Sequence, residues 1–241
     1  MRKIFTDFPI TDEFILQGID AKHVLRVLRY DVGDTVMVTD CTGNTYACEI
    51  VESDGVVARL QPLKHISSKK TSSGVVVLAV GLLKNDKFDW VIQKGTELGV
   101  DVIVPIQMEH CVVKLNDNRQ SNKLNRWRRI AIEAAKQCGR DDIPIVDEIA
   151  TWNKLCIDYK DYHFLVPYER ETRPLRDVIP AFRQGNIVVC IGPEGGFSLS
   201  EIDVVKSMVG ATYSVSLGTR ILRAETAALA TLAIIMYERG L

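Results

Sequence analysis

The chain has 241 residues, 46% of them hydrophobic, enough to bury one large core or two unequal ones. Thirty basic residues against 31 acidic ones leave a formal charge of −1, so any nucleic-acid contact has to come from a local patch. Six cysteines without a C-x-x-C pair and four isolated histidines offer neither a disulfide framework nor metal-ligand spacing.

No apolar run reaches transmembrane length, and the opening MRKIFTDFPI lacks the apolar core of a signal peptide. The expectation is a soluble, cytoplasmic protein with no metal and no membrane partner.

Residues 1–63 read as mostly β. Short strands are expected over 36–40, 46–52 and 56–60, with hairpin turns at Thr42-Gly43-Asn44 and Asp54-Gly55. Ahead of them, residues 22–30 interleave His23, Arg26 and Arg29 with Val24, Leu25, Val27 and Leu28. That pattern fits an amphipathic helix with a solvated basic face, and equally an RNA-backbone contact. Residues 64–74, KHISSKKTSSG, are polar except for Ile66 and read as a linker, so a domain boundary is expected there.

From Gly74 the pattern turns α/β. Residues 75–80 form the unbroken apolar run that a buried parallel strand needs. A helix is expected over 86–98, stopped by Gly99, and a strand over 102–106. Glu97 on that helix is easily read as catalytic, although a hydrogen-bonded or solvated helix carboxylate is the plainer role.

Residues 114–140 then carry eight Lys or Arg against two acids, a local excess of six positive charges. Ser121 can cap a helix whose Leu124, Trp127, Ala131, Ala134 and Cys138 share an apolar face. Arg126, Arg129 and Arg140 then point elsewhere. Such a run is a solvated face or a phosphate-binding strip, and the concentration of charge favours the strip. Trp127 belongs to the core.

Further strands are expected over 143–147 and over 163–167, the latter ending at Val166-Pro167-Tyr168-Glu169. An apolar run over 187–191 then enters IGPEGGFSLSE, which starts at Ile191. A helix to Val209 and a second apolar run over 213–217 follow, and LGTRILRAETA from Leu217 opens an Ala-rich final helix. Ser198 and Glu201 form an S-x-x-E capping box, and Gly210 is placed to end the helix they start. Glycine at two strand-to-helix junctions, with charge just beyond, suggests a backbone-lined pocket for a small polar ligand. The alternative is a tight turn with no ligand. Neither G-x-G-x-x-G nor G-K-[ST] occurs, so the turn is neither a dinucleotide fingerprint nor a phosphate loop.

IGPEGGFSLSE and LGTRILRAETA together resemble the paired C-terminal signatures of the SPOUT methyltransferases. Within that group the chain resembles the RsmE family, the 16S ribosomal RNA uridine-N3 methyltransferases. KGTELGV from Lys94 and RWRRIAIEAAKQCGR from Arg126 fit the same pattern, and the likeness covers nearly the whole chain. The resemblance implies a SPOUT α/β domain over 74–241, with a parallel sheet, a deep C-terminal trefoil knot and an obligate homodimer. It implies a small PUA-like RNA-binding β-barrel over 1–70.

S-adenosylmethionine is the implied methyl donor, held where three strand ends meet. The implied cofactor residues are Val166 and Pro167, then Gly192, Pro193, Glu194, Gly195 and Gly196, then Leu217, Gly218, Arg220, Ile221 and Leu222. Uridine N3 is protonated at neutral pH, so its proton has to be removed and the anion stabilised. Arg223 is the expected anion holder, with Glu194 and Glu225 as candidates for base or positioning. Glu225 is otherwise a helix N-terminal carboxylate favoured by the dipole.

His23, Arg26 and Arg29 on the barrel, with Arg126, Arg129 and Arg140 on the strip, are the expected RNA contacts. The implied substrate is a uridine of the decoding region of 16S ribosomal RNA in the small subunit. The residues alone do not select N3 over another acceptor. A methyltransferase for another RNA site, a non-catalytic RNA-binding module and a nucleotide-dependent oxidoreductase are the rivals. The last is disfavoured because no G-x-G-x-x-G follows the first apolar strand.

Overall fold

A computed structural model of the chain describes residues 3–6, 8–67, 74–113 and 117–240. It divides into two compact units, Met1–Lys70 with Ala135–Asp142, and Thr71–Ala134 with Ile143–Leu241.

The first unit is built on a five-stranded sheet. Its strands are β1 (Ile4–Phe5), β2 (Phe14–Leu16), β3 (Thr35–Thr39), β4 (Thr45–Ser53) and β5 (Ala58–Ser67), in the order β1-β3-β4-β5-β2. Alternation along β4 sends Cys48 and Ile50 inward, where they meet Val36, Val38 and Leu60 in a separate small core. The basic stretch is not one regular helix. A short α1 (Gly18–Lys22) passes into a π-helical turn, His23–Val27, closed by the i→i+5 bond from Leu28 N to His23 O at 2.9 Å.

Strand β5 also corrects the reading of residues 64–74 as linker from Lys64 onward. Lys64 and His65 still pair with Ala47 and Tyr46 of β4. Backbone ladder bonds do not require apolar side chains, so an exposed polar stretch can extend a strand past its core. Residues 68–73 lie outside the described residues.

The second unit is an α/β sheet of seven strands, every pairing parallel. They are β6 (Val76–Gly81), β7 (Val102–Gln107), β8 (Ile145–Val146), β9 (Ala150–Thr151), β10 (His163–Pro167), β11 (Ile187–Ile191) and β12 (Ala211–Val215). The order is β12-β10-β11-β6-β7-β8, with β9 also on β7. Every residue of β6 and β11 is buried, as expected of central parallel strands covered on both faces. From β6 the chain steps to β7 on one side and later returns to β11 on the other. That reversal of order opens a crevice at the carboxyl ends of the strands.

The helices are α2 (Lys87–Glu97), α3 (Asp117–Cys138), α4 (Trp152–Asp158), α5 (Leu199–Met208) and α6 (Ala224–Glu238). Trp127 is buried on Phe88, with ring centroids 4.5 Å apart, and its Nε1 donates to Asp89 at 3.0 Å. Helix α3 starts at Asp117, so Ser121 sits inside it rather than capping it. Helix α5 ends differently from the glycine stop expected at Gly210. The buried Val209 turns extended (φ −112°, ψ 127°) and leads the chain into β12 two residues earlier than the apolar run suggested.

Candidate active site

Strands β10, β11 and β12 run parallel side by side, so Pro167, Ile191 and Val215 leave the sheet along one edge. The segments that follow them line a cleft of about 730 Å3, within the usual range for small-molecule sites. Pro167, Tyr168 and Glu169 form one wall, residues 192–197 the second and residues 216–224 the third, with Lys87 of α2 between them.

The second wall is tightly held. Ser198 Oγ accepts from Glu201 N at 3.2 Å and Glu201 Oε2 accepts from Ser198 N at 2.9 Å, so the expected capping box is present. Glu201 is buried, and its other oxygen accepts from Glu109 N at 2.9 Å. Trp152 Nε1 donates to the Glu201 carbonyl at 2.8 Å. Gly195 has to be glycine for space, since a Cβ there would stand 2.8 Å from His110 Cβ. His110 Nδ1 lies 3.1 Å from Gly195 O. A carbonyl only accepts, so that nitrogen carries the proton.

The third wall is open. Gly218 takes φ +119°, with Ser216 Oγ accepting from its N–H at 3.2 Å. Ile221 is 88% exposed, and Arg220 and Arg223 are also exposed. Arg223 is the N-cap residue of α6 (φ −65°, ψ 152°) and makes no side-chain hydrogen bond or ion pair among the described residues.

Glu194 Oε1 accepts from Lys84 N at 3.2 Å and from Lys87 Nζ at 3.4 Å. Burial pushes its carboxyl up. The hydrogen bonds from its own backbone, Lys84 N and Lys87 outweigh that, and hold it below the usual carboxylate range. Glu225 stands behind the wall, with Oε2 3.5 Å from Lys87 Nζ.

The cleft thus gathers eleven of the twelve predicted cofactor residues, together with Arg223. Val166 and Glu225 do not line it, and Val166 is wholly buried in the sheet. Glu97 is on α2, paired with Lys94 at 2.6 Å. Lys87 and Tyr168 were missed, although both follow strand ends where the rule that flagged the glycine turns also applies.

Of the predicted RNA contacts, Arg26 and Arg29 are exposed and His23 is half-buried on the first unit. Arg129 is exposed on α3. Arg126 pairs with Asp89, and with Asp86 at 3.3 Å. Arg140 is engaged with Asp142 through Nε at 3.1 Å and a terminal nitrogen at 3.0 Å, its side chain only 12% exposed. Lys114 lies outside the described residues. Among the described residues no helix is long and apolar enough to cross a membrane.

An open parallel sheet with a ligand-sized cleft at its switch point defines an α/β enzyme scaffold. The family model described as an RNA methyltransferase domain matches residues 70–236, and the RNA methyltransferase PUA domain matches residues 16–61. The chain belongs to this RNA methyltransferase family. It is 32% identical over 237 residues to the ribosomal RNA small subunit methyltransferase E of Bacillus subtilis, covering 95% of this chain and 91% of that one. The Neisseria gonorrhoeae ribosomal RNA small subunit methyltransferase E, solved bound to S-adenosyl methionine, superposes with TM-score 0.83 at 28% identity. That match covers 97% of this chain and 96% of the other. A putative methyltransferase from Legionella pneumophila, solved with the cofactor SAM, gives TM-score 0.83 at 27% identity, covering 98% and 96%.

Proposed function

We propose that this protein is an S-adenosylmethionine-dependent ribosomal RNA methyltransferase, and that its acceptor is N3 of a uridine in 16S RNA of the small subunit. The observation that carries this is the meeting of two glycine corners, at Gly195 and Gly218, in one cleft with Arg223 at its edge. The lining fits the donor. Leu217, Ile221, Leu222 and Ile191 offer apolar contact for a purine, exposed backbone offers its amides and carbonyls, and Glu169 and Glu194 suit hydroxyl or ammonium groups. When bound, S-adenosylmethionine supplies an electrophilic methyl group on a positively charged sulfur.

The chain's own residues then do the following. The corners at 192–196 and 217–222, with Pro167 and Arg220, hold the donor, and Val166 supports this wall from within the sheet. Arg223, with no competing partner among the described residues, holds the negative charge that spreads over uracil O2 and O4 as the N3 proton leaves. Glu194 and Glu225 are the candidate proton acceptor and positioning groups, and Glu194 keeps its charge well into mild acid because its carboxyl is held low. The target base has to be unpaired or flipped to reach this cleft.

The same reading makes residues 1–70 a PUA-like RNA-binding domain and 74–241 a knotted SPOUT domain that pairs as a homodimer in the cytoplasm. Exposed Arg26 and Arg29 support RNA contact by the first unit, joined in this reading by His23, and exposed Arg129 supports RNA contact by the second, joined by Arg126. Arg140, tied to Asp142, would have to exchange partners to take part.

The test incubates purified protein, S-adenosylmethionine and small-subunit RNA, and identifies the product nucleoside by mass spectrometry. 3-Methyluridine is expected, and Arg223→Ala should slow its formation about a hundredfold while donor affinity changes little. A protein that binds no donor by calorimetry, or yields another methylated nucleoside, ends this reading.

A further inference from the structure

Lys87 is the first residue of α2, just beyond the carboxyl end of β6. A lysine at a helix N-terminus opposes the helix dipole, so helix stability does not account for it. Its ammonium instead faces two carboxylates, Glu194 Oε1 at 3.4 Å and Glu225 Oε2 at 3.5 Å. Glu194 comes from the corner after β11, and Glu225 from the first turn of α6, two residues past Arg223. One cation therefore spans two walls of the cleft. Glu225 Oε2 is shut off from solvent and receives no hydrogen bond, so Lys87 is the charge that compensates it. Lys87 itself lines the cleft and Glu225 does not.

We infer that Lys87 is a positioning residue for methyl transfer, tying the glycine corner at Glu194 to the start of α6 and so fixing where Arg223 stands. The inference rests on the function proposed above. It assigns Glu225 as the counter-charge of Lys87, not as the group that takes the N3 proton. The pair is partly buried, and removing Lys87 strands the enclosed Glu225 oxygen without its counter-charge, whereas removing both costs less. A direct ligand contact by Lys87 has no such dependence on Glu225.

The test compares Lys87→Met, Lys87→Arg, Glu225→Gln and the double variant Lys87→Met with Glu225→Gln. Thermal unfolding, donor affinity by calorimetry and single-turnover transfer at saturating donor are measured on each. Lys87→Met is expected to unfold earlier and to transfer methyl about tenfold more slowly, with Lys87→Arg within about threefold of the parent. The double variant should recover most of both losses, and should fold even where Lys87→Met alone does not.

Additive losses in the double variant overturn the inference, as does recovered stability without recovered transfer, which marks a direct ligand contact. Glu225→Gln that stops transfer while donor affinity holds overturns it too, because Glu225 is then the proton acceptor. If the parent protein binds no donor and modifies no RNA, the proposed function fails instead, while the unfolding measurements still report whether the two side chains are coupled.

Discussion

The turn after β11 is fixed by a capping box, by a buried Glu201 that serves two backbone amides and by an indole donor from Trp152. The turn after β12 carries an 88% exposed Ile221, exposed Arg220 and Arg223, and little internal hydrogen bonding beyond Ser216 and Gly218. Both corners border the same cleft. One wall is formed before any ligand arrives, and the other has surface left to bury against it. A preformed wall lowers the ordering cost of binding, and an open one lets a ligand enter and be covered. Substitutions in the first corner should therefore register chiefly as stability, with any loss of affinity following from the shifted wall, and in the second as affinity alone.

The largest effect is expected from Glu201→Ala. It removes the acceptor for Ser198 N, which is buried, and for Glu109 N, which is partly buried, and leaves both donors without that partner. A loss of about 3 kcal/mol in chemical denaturation is expected from those two amides and the cap together. A loss below about 1 kcal/mol would show that this corner is held by something other than the box.

Gly195→Ala comes next. The added methyl meets His110 Cβ at 2.8 Å, and the carbonyls of Gly195 and Gly196 are already engaged with the imidazole, so the loop has to move. Overpacking of this kind costs about 2 kcal/mol, and the shifted wall should weaken donor binding by calorimetry as well. Unchanged affinity beside lost stability would detach this wall from the ligand.

Much of this contrast was legible in the sequence, for a local reason. Ser198, Glu201 and the glycines report a tight turn through their own backbone preferences, and the apolar runs at 75–80 and 187–191 report buried parallel strands through composition alone. What stayed hidden depends on partners far away in the chain. Lys87 gives no local sign that it faces Glu194 and Glu225, more than a hundred residues on. Ala135–Asp142 groups with the first unit, and nothing in a basic helical run announces that. Strand β5 outlasts its apolar pattern because β4 goes on offering it backbone partners.

The smallest change in stability belongs to Ile221→Ser, and it separates the two corners most cleanly. A side chain 88% exposed contributes little packing, so denaturation should move by no more than about 0.5 kcal/mol. If the open corner folds down over a bound donor, however, that side chain becomes buried only in the complex. Burying most of an isoleucine contributes on the order of 1.5 kcal/mol, so affinity for S-adenosylmethionine should fall about tenfold. A stability loss above about 1 kcal/mol would mean that the corner is already packed in the free protein. Unchanged stability with unchanged affinity would mean that it never closes on the ligand, and the wall formed by residues 217–222 would then serve the RNA rather than the donor.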